Sequence, residues 1–123
     1  MFVHLKTKTI YSLLEGAIFA KALADQCRKF KMPAVGIADR ANLFGALEFS
    51  EVLSDNGIQP IIGCQLPMSF KEADLKKLKV TDRLSMLFLA TNELGYRNLM
   101  ELSSKFFLND NYRFEGMLSL IHI

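Results

Sequence analysis

Met32-Pro33-Ala34-Val35-Gly36-Ile37-Ala38-Asp39-Arg40-Ala41-Asn42-Leu43-Phe44-Gly45-Ala46-Leu47 decides the fold. Val35, Ile37 and Ala38 lie in an uncharged apolar run, the pattern of a strand covered on both faces, as in a parallel sheet. Polarity rises abruptly at Asp39-Arg40-Ala41-Asn42, and a helical pattern follows from about Leu43. In parallel α/β folds, sites lie where strands end and helices begin. Asp39 therefore has two readings: a site carboxylate, or a cap, shared with Asn42, on the helix that follows.

Outward from this unit the chain keeps the same rhythm. Upstream, residues 2–8 alternate sufficiently to predict a first strand. On it Lys6 and Lys8 share a face, and His4 falls on that face too. Ser12 and Glu15 have capping-box spacing, but Gly16 makes a loop an equal reading. Ala20, Leu23, Ala24, Cys27 and Phe30 form the apolar stripe of a helix over 17–31, which Pro33 stops. Downstream, the helix from Leu43 ends at Asn56-Gly57, two residues that tolerate a left-handed backbone. A strand is expected from Ile58 to Leu66 and another from Ser85 to Thr91. Between them lies a lysine-rich stretch over 69–83, read as a loop or partly helical excursion. Asn92-Glu93 caps a last helix with Gly95, Leu99, Leu102 and Phe106 on one stripe. Met117 to Ile123 reads as the start of another strand.

The order strand, helix, strand, helix, strand, loop, strand, helix gives an α/β fold of parallel βα units with right-handed crossovers. A doubly wound sheet and the first part of a βα barrel both fit. The length of 123 residues allows one domain or a part of one, and a final apolar run that simply stops favours a truncated piece of something larger.

Composition narrows the function. Fifteen basic and 13 acidic residues leave a net charge of +2, too small by itself to argue for nucleic-acid binding. Its distribution is uneven: residues 1–31 carry six basic groups against Glu15 and Asp25, a net +4. A second basic run is Lys71, Lys76, Lys77, Lys79 and Arg83, and solvated faces explain most such runs. Cys27 and Cys64 lack metal-ligand spacing and are expected as buried free thiols. No apolar run approaches the roughly 20 residues that span a bilayer, and the N-terminus lacks a signal-peptide pattern. The expected location is cytoplasmic, without membrane association.

Four stretches together resemble one family. Phe2 through Gly16 is similar to the opening of the PHP (polymerase and histidinol phosphatase) domain, in the version that begins the alpha subunit of bacterial DNA polymerase III. Met32 through Asp39 with Asn42 through Phe49 resembles its second block, Gly57 through Cys64 its third, and Leu89 through Leu99 its fourth. The resemblance covers roughly residues 2–108, in the family's order and spacing. It implies a distorted, TIM-like βα barrel of which residues 1–123 form the N-terminal portion. Active members are implied to hold a metal cluster at the strand ends and to hydrolyse phosphoesters.

At the positions that match the family's ligands, this sequence departs from the pattern. The His-x-His of the first block is Lys6 and Lys8. The Asp-His of the second is Asp39-Arg40. The Glu after the third block is Gln65, and the His before the fourth is Ser85. A charged ammonium or guanidinium has no lone pair for a metal, and Gln and Ser are poor substitutes for Glu and His. Asp39 and Glu15 keep carboxylates. His4 neighbours these positions but cannot rebuild the site alone, and His122 lies outside the matched blocks. No cofactor or metal is expected, and no catalytic residue is assigned.

The resemblance therefore implies a degenerate metal site with a structural and subunit-interaction role in DNA replication. The polymerase itself would be a DNA-directed nucleotidyltransferase, with this portion not catalytic. The implied partners are the remainder of the alpha subunit and the proofreading exonuclease subunit, with DNA met only through the parent protein. The alternative is a metal-dependent phosphoesterase of the same family. Lys6, Lys8 and Arg40 would each bring a positive charge where metals sat, so pairing with Asp39 or Glu15 is expected.

Overall fold

The computed structural model describes residues 2–68 and 84–108. The excursion over 69–83, the basic run within it, the strand expected from Met117 and His122 all lie outside the described residues. In chain order the elements are α1 (Ala20–Lys29), β1 (Ala34–Arg40), α2 (Ala46–Asp55), β2 (Gln59–Met68), β3 (Leu84–Leu89) and α3 (Glu93–Leu108). The sheet order is β1-β2-β3.

β1 and β2 are parallel, in register from Ala34 opposite Gln59 to Arg40 opposite Gln65, the βα unit expected from the apolar run. Residues paired across parallel strands share a face, and side chains alternate between faces along each strand. One face therefore carries Val35, Ile37 and Asp39 beside Ile62, Cys64 and Leu66. The other carries Gly36, Ala38 and Arg40 beside Ile61, Gly63 and Gln65.

The helices pack over the first of these faces. Leu23, Ala24 and Cys27 of α1 and Phe49 and Leu53 of α2 bury against Val35 and Ile37. Leu99 and Leu102 of α3 bury against Ala41, Cys64 and Leu66. Burying each large side chain of this kind contributes about 1.5–3 kcal/mol. Both cysteines are free and buried, as expected; burial pushes the Cys64 thiol up to about 11. The stops also fall where the sequence puts them. Asn56 closes α2 with Gly57 at φ +69°, and the Asn92 side chain accepts the Gly95 N–H at 2.8 Å to start α3.

Three expectations change. β3 runs antiparallel to β2, from Gly63 opposite Leu89 to Pro67 opposite Ser85, so the second and third strands are not joined as a parallel βα unit. Strand direction depends on pairing across the chain, which local periodicity does not encode. α1 begins at Ala20, later than the helical pattern. The first strand is reduced to bridges: Thr7 pairs with Ile37 and Thr9 with Ile18. The Thr7 N–H donates to Gly36 O and the Ala38 N–H to Thr7 O, but the Gly36 N–H reaches His4 O. A regular parallel ladder would use Leu5 O there. The chain instead bulges at Leu5, whose backbone lies over the Gly36 Cα.

That crossing requires glycine. A Cβ on Gly36 would sit 2.6 Å from Leu5 O and 2.8 Å from Leu5 Cα, well inside contact distance and against backbone. Gly36→Ala is expected to lower stability by about 1–3 kcal/mol or more through overpacking. Urea denaturation checks this, and proteolysis should show earlier cleavage within residues 2–8.

Candidate functional site

Asp39, next to last in β1, lies on the helix-covered face and is 4% exposed. A carboxylate so buried must be hydrogen-bonded, and the loop between the first segment and α1 supplies the donors. The Thr9 N–H donates to Oδ1 at 2.7 Å, the Thr9 hydroxyl to Oδ2 at 2.7 Å, and the Ser12 hydroxyl to Oδ1 at 2.6 Å. Ser12 Oγ in turn accepts the Arg40 N–H at 3.1 Å. Asp39 is therefore neither a helix cap nor, among the described residues, the partner of a cation; of the two candidate acceptors, Asp39 and Glu15, Lys8 and Arg40 pair with Glu15. Neutral donors from the facing loop satisfy Asp39 instead.

The same loop is fastened twice more. Asn42 donates through Nδ2 to Tyr11 O at 3.1 Å and to Arg40 O at 3.0 Å, while its Oδ1 accepts the Phe44 N–H at 3.2 Å. It thus shapes the turn before α2 without capping α2, whose N-cap is Gly45. The Tyr11 hydroxyl donates to Glu48 at 2.7 Å. That bond to a carboxylate is the main reason the phenol is held above its ordinary pKa.

Glu15 sits at the loop's end, in the turn closed by the Glu15 and Gly16 N–H groups on Ser12 O. Ser12 and Glu15 thus form the loop reading, with no capping box. Glu15 receives two cations. Lys8 Nζ pairs with its Oε2, and Arg40 Nη1 pairs with its Oε1 at 2.6 Å. One carboxylate joins the first segment, the loop and the end of β1. Hydrogen bonds from Lys8 and then Arg40 hold the Glu15 carboxyl below the usual carboxylate range.

Across the sheet, on the face that carries Arg40, Gln65 Nε2 donates to Ser85 Oγ at 2.5 Å. Gln65 Oε1 is buried with no partner among the described residues. Lys6 makes no ion pair within the described residues. It lines, with His4, Lys8 and Glu15, a groove of about 830 Å³ beside α1. Of the sequence-derived positions, Lys8, Glu15 and Arg40 come together, Gln65 and Ser85 come together, and Asp39 stands apart in its own neutral network. No three His, Cys, Asp or Glu groups among the described residues are arranged to hold a metal ion.

Sequence reading missed Thr9, Tyr11 and Glu48 as parts of this assembly. The available signal was a cluster of hydroxyl residues, Thr9, Tyr11 and Ser12, ahead of an apolar strand that ends in Asp: a buried carboxylate needs such donors.

Comparison with known proteins agrees with this architecture. The PHP domain family model matches residues 4–120. The DNA polymerase III subunit alpha of Caulobacter vibrioides is 48% identical over 108 residues, covering 88% of this chain and 9% of that protein. The Treponema pallidum protein of the same name is 40% identical over 113 residues, covering 90% of this chain and 10% of the relative. The chain thus spans about a tenth of the length of these relatives. A solved structure from Bifidobacterium adolescentis, described as a candidate metal-dependent phosphoesterase, superposes with a TM-score of 0.57 at 20% identity. The match covers 80% of this chain and 32% of that one, and it shows a shared fold. No helix among the described residues is long and apolar enough to cross a membrane.

Two predictions separate the two carboxylates. Asp39→Ala leaves three buried donors without an acceptor, and with about 1–3 kcal/mol for each stranded group the loss should reach at least about 3 kcal/mol. Arg40→Ala breaks a pair whose arginine is half exposed, and should change stability by no more than about 1 kcal/mol. Chemical denaturation of both variants checks the contrast. For Glu15, the folded pKa lies below the unfolded one. Its contribution is therefore complete above an ordinary Glu pKa of about 4.3 and is lost as pH falls through the lower folded value. Glu15→Gln should flatten that acid limb of a stability-against-pH curve.

Proposed function

The chain belongs to the PHP domain family, and we propose that it is the N-terminal portion of the PHP region of a replicative DNA polymerase III alpha subunit, with a degenerate metal site and a structural role. The observation that carries this reading is the Glu15 carboxylate shared between Lys8 and Arg40. In the family resemblance, Lys6, Lys8 and Arg40 stand at metal-ligand positions. A bound metal would neutralise the carboxylates around it; here two side-chain cations serve Glu15 instead. The donor set does not fit a metal cluster. Protonated lysine and arginine offer no lone pair, and the neutral Gln65 and Ser85 are poor ligands in place of a carboxylate and an imidazole.

In this reading the region stabilises the polymerase subunit and presents a surface to the proofreading exonuclease subunit, in the cytoplasm. Nucleotidyl transfer resides in other parts of the parent polypeptide, and these 123 residues supply no catalytic group. The span of 32% of the phosphoesterase structure is what supports a portion of a larger domain. The rival reading, a metal-dependent phosphoesterase, needs ligands that these positions lack.

Metal analysis decides between them. The purified chain should carry no stoichiometric zinc, manganese or iron, and EDTA should leave its melting temperature unchanged, since no bound metal would contribute to the folded state. A drop in melting temperature on chelation, restored by zinc or manganese, would establish the phosphoesterase reading instead.

A further inference from the structure

We propose that Asn56-Gly57, the stop of α2, is a deamidation site that the fold holds closed. Conversion of Asn56 to aspartate or isoaspartate then follows opening of this helix end and hinders its return. The site lies where β1 and β2 begin, with Gln59 opposite Ala34, at the end of the sheet away from Glu15. It is independent of the metal positions and of the role proposed for them.

The chemistry needs water and no other reactant. The Gly57 backbone nitrogen loses its proton to hydroxide and attacks Asn56 Cγ. A C–N bond forms there while the bond from Cγ to Nδ2 breaks, and that nitrogen takes up a proton and leaves as ammonia. Water then opens the five-membered imide. Cleavage at Cγ gives aspartate with a normal backbone. Cleavage at the Asn56 backbone carbonyl carbon gives isoaspartate, whose main chain runs through Cβ and Cγ. Glycine suits this attack because it puts no side chain beside its nitrogen, and nothing lies within 4 Å of where a Gly57 Cβ would stand. The other asparagines, at 42, 92, 98, 109 and 111, precede Leu, Glu, Leu, Asp and Tyr.

The folded chain keeps the reacting atoms apart. The Gly57 N–H donates to Ser54 O at 2.9 Å, so the proton that must leave is engaged. Asn56 Nδ2 donates to Val52 O at 2.8 Å, which draws the side chain back along α2. With Asn56 at ψ 10°, the Gly57 nitrogen is turned away from Cβ, whereas the imide ring needs the two nearly eclipsed. The Ile58 N–H donates to Leu53 O at 2.9 Å, and with the Gly57 bond this makes the Schellman closure of a helix. Leu53 and Ile58 are both buried in the core cluster with Val35 and Phe49. The end therefore opens only as that core loosens.

Conversion works against reclosure. An aspartate at 56 has no N–H for Val52 O. It also sets a negative charge at the negative end of the helix dipole, next to Asp55 in a last turn without a basic residue. Isoaspartate lengthens the main chain by one carbon between Leu53 and Ile58. That strains the Gln59 N–H bond to Pro33 O, 2.9 Å long, with which β2 begins.

The test is peptide mapping by mass spectrometry of the full chain aged in one mildly alkaline buffer, folded and in urea, with isoaspartate separated from aspartate by chromatography. Conversion at Asn56 should be at least about tenfold slower in the folded chain, a ratio set by how seldom the end opens. In urea Asn56 should convert ahead of every other asparagine. Leu53→Ala loosens the anchor of the closure and should convert faster than the parent when folded, at an equal rate in urea. Glu51→Gln, on the exposed side of α2, should stay within about twofold in both states. Asn56→Asp should unfold at a lower urea concentration than the parent. If Leu53→Ala does not fold, the parent in urea below its unfolding transition replaces it, and its rate should climb with urea. Equal rates folded and in urea, no conversion of Asn56 in urea, a folded rate that neither Leu53→Ala nor mild urea raises, or an Asn56→Asp chain as stable as the parent overturns the proposal.

Discussion

The buried carboxylate of Asp39 is the constraint on which the rest of the described structure depends. It stands next to last in β1, where a charge without partners would be costly. Thr9 and Ser12 satisfy it with three short bonds, and to do so the loop over 9–16 must fold back on the end of β1. That placement brings Tyr11 to Glu48 and Asn42 to the Tyr11 carbonyl. It also sets Glu15 between Lys8 and Arg40. The ion pairs are thus a consequence of the Asp39 lock more than its cause. Arg40 is half exposed in its pair, and exposed pairs contribute little to stability.

The parts of the fold legible in sequence were those fixed locally. The Val35–Asp39 run, the stop at Asn56-Gly57, the break at Pro33 and the Asn92 cap each depend on a few adjacent residues. Where pairing partners lie far apart, sequence was mute. Thr9 and Asp39 are 30 positions apart, and a cluster of hydroxyl residues around Thr9 signals donors without naming their acceptor. The direction of β3 is of the same kind, because its apolar run would serve a parallel or an antiparallel neighbour equally. The bulge at Leu5 escaped for a third reason. Alternation over residues 2–8 is right for an extended chain, and only the missing side chain of Gly36 lets that chain ride over the neighbouring strand.

The candidate site was half legible. Its positions came from resemblance to a family, and the replacements at those positions follow from the chemistry of lysine, arginine, glutamine and serine. How the replacements combine did not follow. Asp39 and Glu15 both keep a carboxylate, so either could accept the new cations. Neighbours along a strand point to opposite faces, however, so Asp39 turns towards the helices while Arg40 leaves the strand on the far side and reaches Glu15. Glu15 reaches the cations because a loop has no such alternation.

The face that carries Arg40 shows why these replacements form a coherent set. Gly36, Ala38 and Gly63 on that face are small, with the Leu5 backbone over Gly36 and the Leu89 side chain over Gly63. Polar side chains at its end therefore meet each other: Arg40 stands opposite Gln65 in the β1–β2 register, and Gln65 bonds Ser85 across to β3. A carboxylate at 65 with an imidazole at 85 would place an anion and a metal-binding ring together there. An amide and a hydroxyl can instead hydrogen-bond one another without any ion. Substituting one member alone would break a single solvent-exposed hydrogen bond, a loss of about 1 kcal/mol at most. The two neutral residues thus support each other, while the charges gather around Glu15 and the groove. The site is divided into a neutral half on the sheet and a cationic half on the first segment.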